Sequence, residues 1–240
     1  MREAFCQLNR VEKAQIFAAK IELTYPQSTE ERSATMSWYK ISEISPSDFV
    51  KCVEPIYKVL EGKHKSKSSE DPFLKAVLCG HKGFSEEQWQ EAERLRLAQK
   101  AIEMKLGDFH EELMGKFPGW ETYPNGHSTG CDVGKRDGSH VLEVKNRDNT
   151  EKGTARKKVI DTLKGNVEKG RRATLIQVNC PNGKVNRWNA PEEIDVWNGK
   201  QAYTFLSGRE TFYDDLQETL AHTFKTFSTL ASLKASLGTS

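Results

Sequence analysis

The stretch that most constrains the fold is residues 126–150, GHSTGCDVGKRDGSHVLEVKNRDNT. Within it, Asp137-Gly138 is a two-residue hairpin signal, because the favoured tight turn needs positive backbone angles that few residues tolerate. If this turn joins two antiparallel strands, Arg136 pairs with Ser139. Continuing that register away from the turn places Asp132 directly opposite Glu143.

The two faces of this hairpin differ in chemistry. Paired side chains lie about 5 Å apart on one face, and successive side chains alternate between faces. Asp132, Glu143 and Lys145 therefore share one face, whereas Leu142 and Val144 point to the other. The hairpin thus presents two carboxylates and an ammonium on one side and an apolar surface on the other.

Two facing carboxylates repel each other, and a hard divalent cation removes that conflict. Mg²⁺ takes one or two carboxylates together with waters and phosphate oxygens, an arrangement suited to phosphodiester cleavage. We therefore predict Asp132 and Glu143 as Mg²⁺ ligands. Lys145 can orient or help to deprotonate the attacking water. The alternative is an exposed hairpin whose acids and lysine form surface ion pairs.

The triplet Glu-x-Lys carries little information alone, since it also begins at Glu61 and Glu103. Only the copy at Glu143 falls on a predicted strand with an acid across the hairpin. Residues two apart in a helix do not share a face, which excludes the copy at Glu103.

Positive charge is concentrated directly after this hairpin. The net charge of the chain is +2, yet Lys145 to Arg172 holds ten basic and four acidic residues. Clustered charge favours a polyanion partner, although a solvated helix face is the simpler explanation of any charge run. As residues that contact DNA we predict Asn146, Arg147, Asn149, Thr150, Lys152, Arg156, Lys157 and Gln177. Asn149-Thr150 can alternatively cap the next helix, and Gln177, on an apolar strand, can alternatively make a core hydrogen bond.

Helical patterns dominate the first third of the chain. Residues 1–84 are predicted to be helical, with Pro46 and Pro55 interrupting one apolar pattern, and they carry no chemical motif. Ser85 and Gln88 form a capping-box pattern that opens a long helix. We expect this helix to pause at Gly107 and to end before Pro118-Gly119.

The chain after Pro118 alternates between strands and helices. Asn182-Gly183 and Asn198-Gly199 are two further hairpin signals, and 154–169 has a helical apolar stripe. Apolar residues from Phe212 to Leu230 recur at helical spacing and predict one closing helix. The fold class is therefore α/β, a mixed central sheet flanked by helices. We predict a core over 85–240 and a separate helical N-terminal region over 1–84.

The hairpin sequence CDVGKRDGSHVLEVK resembles the catalytic hairpin of the PD-(D/E)xK nucleases. With LGDFHEELMGKFPGW before it and EVKNRDNT leading into a basic helix, the arrangement resembles type II restriction endonucleases of that superfamily. The resemblance covers residues 105–177 and, more loosely, residues 197–212. Cys131 stands where the motif has a proline, a departure that is frequent in the superfamily.

This resemblance implies a restriction-endonuclease-like core and Mg²⁺-dependent, sequence-specific cleavage of double-stranded DNA. It implies that Asp132 and Glu143 bind metal, that Lys145 is catalytic, and that Glu112 is an accessory acid on the preceding helix. Two alternatives stay open: a repair, recombination or structure-specific nuclease, and a DNA-binding protein without catalysis. The presence of all three hairpin residues argues against loss of catalysis.

Further expectations concern assembly and location. A duplex cut on both strands presents two scissile phosphates related by a two-fold axis, which favours a homodimer. Residues 1–84 and the closing helix are the candidate dimer surfaces. No GxxxxGK[ST] motif and no long apolar segment occurs, so we expect neither ATP use nor a membrane span. The five scattered cysteines fit an intracellular, cytoplasmic protein.

Overall fold

The computed structural model describes residues 37–62, 70–147 and 152–239. The helices are α1 (Pro46–Leu60), α2 (Pro72–Lys82), α3 (Glu86–Gly115), α4 (Gly153–Val167), α5 (Gly199–Ser207), α6 (Phe212–Thr226) and α7 (Leu230–Leu237). The strands are β1 (Trp120–Thr122), β2 (Val133–Lys135), β3 (His140–Arg147), β4 (Arg172–Asn179) and β5 (Ile194–Asn198). None of these helices is both long and apolar enough to cross a membrane.

The strands form one mixed five-stranded sheet in the order β1-β2-β3-β4-β5. The first three strands are antiparallel, and β3, β4 and β5 are parallel. Helix α4 connects β3 to β4, as a parallel pair requires. The predicted mixed α/β sheet flanked by helices is therefore confirmed.

Two of the predicted hairpins are wrong, because β4 and β5 run parallel. Asn182 and Gly183 do have positive φ angles, 53° and 69°, but they form a short 3-10 turn at the start of the β4–β5 connection. Asn198 ends β5 and caps α5, where its side chain accepts a hydrogen bond from the backbone N–H of Gln201 at 2.9 Å. Asn-Gly pairs signal sharp changes of chain direction, and a helix cap is one of them.

The hairpin of β2 and β3 has the predicted register, with Val133 opposite Leu142 and Gly134 opposite Val141. Its turn differs from the prediction, because Gly138 has a positive φ of 73° and Asp137 does not. The carboxylate of Asp137 instead accepts the backbone N–H of Ser139 at 2.9 Å, which braces the turn.

The helices follow the predicted signals with three corrections. The capping box of Ser85 is present, but α3 runs through Gly107 without a pause. Pro46 is the first residue of α1 and so begins that helix, and Pro55 lies inside it. The closing helix is divided into α6 and α7, and Thr229 caps the second of them.

Described residues from Lys40 onward belong to one compact unit, in which α1 packs against α3. The proposed division at residue 84 stays a prediction, since 1–36 and 63–69 lie outside the described residues. The predicted apolar pattern before Pro46 falls largely on that part of the chain.

The sheet is covered on both faces. Helix α4 packs Ile160 and Leu163 onto the face that carries Val141 and Leu175, all of them buried. On the opposite face, Phe205 of α5 contacts the ring of His140, with ring centroids 5.7 Å apart. Helix α3 packs against β1, β2 and β3. The hairpin is therefore enclosed by helices except at its polar end.

Two glycines of α3 should respond to the same substitution in opposite directions. A Cβ at Gly107 would meet nothing within 4 Å, so Gly107→Ala should stabilise the protein by about 0.5–1 kcal/mol through helix propensity. A Cβ at Gly115 would lie 2.5 Å from the backbone nitrogen of Thr122. Gly115→Ala should therefore destabilise it by about 1–3 kcal/mol. Urea denaturation of both variants measures this, and equal signs would contradict the packing of α3 on β1.

Candidate active site

The carboxylate of Asp132 is fixed by the backbone of the neighbouring strand. The N–H of Asp132 donates to the carbonyl of Leu142 at 3.1 Å, and its Oδ2 accepts from the N–H of Val144 at 2.8 Å. The first bond joins Asp132 to Leu142, the register partner of Val133, so the regular pairing ends at Val133 and Asp132 is held against β3 one residue short of the predicted register. The position of this acid is therefore set by main-chain hydrogen bonds.

The ammonium of Lys145 lies between two carboxylates. Its Nζ is 2.7 Å from Oε1 of Glu143 and 3.9 Å from Oδ2 of Asp132. The side chain of Glu143 is only 9% exposed, and those of Lys145 and Asp132 are 18% and 25% exposed. The structure thus brings together the three predicted residues, and the burial of Glu143 disfavours a surface ion pair.

Burial also changes the acidity of this site. It raises the pKa of Asp132, and the charge of Lys145 and the N–H of Val144 offset part of that effect. Within the described ranges no three His, Cys, Asp or Glu side chains are grouped as a metal site. A metal bound at the hairpin would therefore find two carboxylates there, those of Asp132 and Glu143.

Helix α3 places Glu111, and not Glu112, toward this site. Burial, together with the negative charge of Asp132, raises the pKa of Glu111 to about 8, although the charge of Lys145 partly opposes this rise. Glu112 is exposed on another side of α3, where its carboxylate lies 3.4 Å from Nζ of Lys116. The position of Glu112 therefore does not support the accessory role that the sequence resemblance implied.

The helix phase explains this difference. Adjacent residues of a helix point about 100° apart, so the motif alone does not decide between neighbouring acids. The buried residues Phe109 and Leu113 fix which side of α3 faces the sheet. Glu111 points away from that side and lies instead beside Met114 and Gly115, three and four residues later, both of which are buried.

A cleft of about 420 Å³ opens between α3 and the end of β3. Lining residues that carry charge or an amide are Lys100, Glu103, Asp108, Glu111, Lys145, Asn146 and Arg147. Two of the predicted DNA contacts therefore lie at its edge. Asn146 accepts a hydrogen bond from the amide of Asn179 at 2.8 Å, and Arg147 lies 3.3 Å from the carboxylate of Glu103.

The basic residues of α4 have different surroundings. Lys152 is exposed at the N-cap, and Lys157 is exposed and paired with Asp161 at 2.6 Å. Arg156 is partly buried, with Cζ 5.2 Å from the ring centroid of Trp188. The predicted residues Asn149 and Thr150 lie outside the described residues.

Gln177 is fully buried beside Lys145 in the parallel register of β3 and β4. Its Nε2 donates to the carbonyl of Asn186 at 2.7 Å, and its Oε1 accepts the N–H of Asn186 at 2.7 Å. The structure therefore contains the core hydrogen bond that the sequence left open as an alternative. A contact of Gln177 with DNA stays a prediction.

Asn166 is a supporting residue that the sequence did not reveal. It is 2% exposed on α4, and its Nδ2 donates to the carbonyl of Thr129 at 2.8 Å. Its Oδ1 accepts from the guanidinium of Arg171 at 3.1 Å. Asn166 thereby ties the segment that precedes Asp132 to α4. A single asparagine near an apolar stripe gives no signal that could have identified this role.

The fold and the hairpin site together define a restriction-endonuclease-like α/β protein. Residues 41–228 match the family model described as Eco47II restriction endonuclease. The chain therefore belongs to the Eco47II restriction endonuclease family. It is also 35% identical over 136 residues to the type II restriction enzyme Sau96I of Staphylococcus aureus. That match covers 54% of this chain and 51% of the relative, about half of its length. The resemblance to restriction endonucleases is confirmed.

Stability measurements can test the placement of Glu111 without any substrate. A folded-state pKa of about 8, against about 4.5 for an unfolded chain, means that folding takes up a proton between these values. This contribution to stability is present at low pH and is lost as pH rises toward 8. Glu111→Gln should remove up to about 1.4 kcal/mol per pH unit of that dependence. Urea denaturation in EDTA measures it.

The matched control is Glu112→Gln, the same change at an exposed position of α3 whose carboxylate lies near Lys116 and not at the hairpin. If the Glu112 variant alone flattened the curve, the orientation of α3 would be wrong.

Proposed function

We propose that this chain is a Mg²⁺-dependent, sequence-specific endonuclease of double-stranded DNA, a type II restriction enzyme that acts inside the cell. One observation carries the proposal: the hairpin holds Asp132 and Glu143 around Lys145, in a chain of the Eco47II restriction endonuclease family. This constellation matches the requirements of phosphodiester hydrolysis, namely oxygen ligands for a cation and a group that handles the attacking water.

The donor set fits Mg²⁺. Two carboxylates are held together at low exposure, and the pKa of Asp132 is raised, so the pair favours an additional cation. Asp132 and Glu143 would hold the metal, since Mg²⁺ needs only one or two carboxylates when phosphate and water complete its shell. Bound Mg²⁺ would stabilise negative charge on the scissile phosphate and lower the pKa of a water.

The protein side chains supply the remaining chemistry. With Asp132 and Glu143 holding a metal, the ammonium of Lys145 would be free to orient the attacking water and to offset charge on the phosphate. The raised pKa of Glu111 makes it able to hold a proton at neutral pH beside the reacting groups. We assign the accessory acid role to Glu111, because its position on α3 supports that role better than the position of Glu112.

The DNA-contacting surface extends from the hairpin to α4. Asn146 and Arg147 are the last residues of β3 and line the cleft, where asparagine and arginine can meet base edges or phosphates. Lys152, Arg156 and Lys157 follow at the start of α4, where clustered positive charge favours a phosphate backbone. Asn149 and Thr150 complete the proposed contacts, whereas Gln177, which the sequence predicted as a contact, is buried and would act on DNA through the loop that it holds.

Removal of either metal ligand should abolish cleavage. Asp132→Ala and Glu143→Ala should lose activity toward a long DNA of known sequence in Mg²⁺, because each loses an oxygen donor. DNA binding in Ca²⁺ should persist. EDTA should stop the wild-type enzyme, and Lys145→Ala should be nearly as inactive as the ligand variants. Normal cutting by Asp132→Ala or Glu143→Ala would overturn the site.

The two acids of α3 form a matched pair for the same assay. Glu111→Ala should reduce the cleavage rate at least about tenfold if it assists a proton transfer. Glu112→Ala should cut at the wild-type rate, because its carboxylate pairs with Lys116 on the surface. The reverse result would restore Glu112 as the accessory acid.

Mapping of the cut ends separates the possible reactions and tests assembly. We propose a homodimer in which each subunit cuts one strand, because each chain contributes one Asp-Glu-Lys site and a duplex has two scissile phosphates. Discrete fragments with symmetric cuts at one short motif would support the proposal, as would a dimer in sedimentation equilibrium. Nicks confined to junctions or flaps would favour a repair nuclease. A gel shift without cutting would indicate a binding protein.

A further inference from the structure

The loop after β4 is tied to the strand that neighbours the catalytic lysine. Lys145 and Gln177 are partners in the parallel register, so their side chains lie on the same face of the sheet. The buried amide of Gln177 bonds both the N–H and the carbonyl of Asn186, each at 2.7 Å. A bidentate attachment of this kind fixes the orientation of the loop backbone as well as its position.

The same loop then adopts a costly backbone conformation. Trp188 and Asn189 have φ angles of 49° and 61°, in the left-handed region that a bulky residue such as Trp rarely occupies. The carboxamide oxygen of Asn186 accepts the N–H of Trp188 at 3.1 Å. The indole is 8% exposed and packs with Ile160 and Leu163 of α4. Strain of this type persists where the surroundings hold it, and it clusters at ligand-binding sites.

This backbone conformation places the indole ring of Trp188 against the guanidinium group of Arg156 and so forms a stacking platform. The guanidinium carbon lies 5.2 Å from the centroid of the Trp188 ring. Within the described part of the chain, Nε of Arg156 is buried without a hydrogen-bond partner. Buried donors are nearly always paired, so an orphan donor on a stacked guanidinium calls for an acceptor. Because Nε is buried, a DNA phosphate would meet the terminal Nη groups, which lie in the guanidinium plane and are not covered by stacking on a ring.

Arg156 also lies at the catalytic end of the sheet. Helix α4 follows β3 and returns the chain to the start of the parallel strand β4. Its first turn, which contains Arg156, therefore lies near the carboxyl ends of β3 and β4. Lys145 and Gln177 lie toward those same ends.

We infer that Arg156 binds a DNA phosphate close to the one that is cut, with Trp188 as its stacking platform and Gln177 as the positioning residue that locks the loop. This inference rests on the proposed function, in that it takes DNA as the substrate. Lys157 is not part of this unit: it is 76% exposed and already pairs with Asp161. The two neighbouring basic residues therefore differ in role.

Salt-dependent binding tests the inference separately from cleavage. Affinity for a short DNA duplex of arbitrary sequence is measured by fluorescence anisotropy in EDTA, between about 50 and 200 mM salt. Arg156→Ala should bind about tenfold more weakly, and its plot of log affinity against log salt should be shallower by about 0.9. Arg94→Ala, the control, removes an exposed arginine of α3 that pairs with Glu91, and it should keep the wild-type slope. Arg156→Lys should not restore affinity, because an ammonium lacks the planar group that stacks on Trp188.

Two further variants test the stacking of Arg156 on Trp188 and the hydrogen bonds by which Gln177 holds the loop. Trp188→Leu and Gln177→Met should each weaken binding, and neither should weaken it further when combined with Arg156→Ala, since all three act through one contact. Because Arg156 is partly exposed, Arg156→Ala should have the same melting temperature as the wild type. The test therefore remains valid even if Trp188→Leu does not fold.

The inference would be overturned by any of three results: an unchanged salt slope for Arg156→Ala, full rescue by Arg156→Lys, or no DNA binding by the wild type at low salt. Loss of DNA cleavage by the wild type in Mg²⁺ would instead overturn the proposed function, and the two failures are read in different assays.

Discussion

The ammonium of Lys145 between Glu143 and Asp132 is the interaction on which the rest of the site depends. Two carboxylates at low exposure repel each other and lose hydration, so they need a positive charge between them. The lysine supplies it at 2.7 Å from one acid and 3.9 Å from the other. The two carboxylates are therefore arranged around a positive charge that the protein itself supplies, the ammonium of Lys145.

The surrounding structure fixes the acids from opposite directions. The backbone of β3 holds Asp132 through the N–H of Val144, and α4 holds the preceding segment through Asn166. On the other side of Lys145, Gln177 anchors the loop that carries Trp188. Each of these supports is a hydrogen bond of 2.7–2.8 Å between a side chain and the main chain, and all three are at least partly buried. The polar end of an otherwise apolar sheet face thus becomes rigid.

Local pattern predicted the hairpin because its register depends on residues close in sequence. The positions of Asp132, Glu143 and Lys145, and the capping box of Ser85, all follow from short-range rules. Distant contacts decide what the sequence left open. The packing of α3 directs Glu111 toward the hairpin, and the accessory role of Glu112 stays a prediction. The Asn198-Gly199 pair, predicted as a turn, carried a local signal for a helix cap, since Gln201 completes a capping box with Asn198 as Gln88 does with Ser85.

The boundary between antiparallel and parallel pairing at β3 has a consequence for the order of assembly. The antiparallel partner is reached through a tight turn, so closing that loop costs little entropy. The parallel partner β4 is reached only after the whole of α4, and Glu111 and the Trp188 loop depend on still longer connections. We expect the acidic hairpin to form early in folding from local contacts. Strand β4, Glu111 and the Trp188 loop should pack against it later.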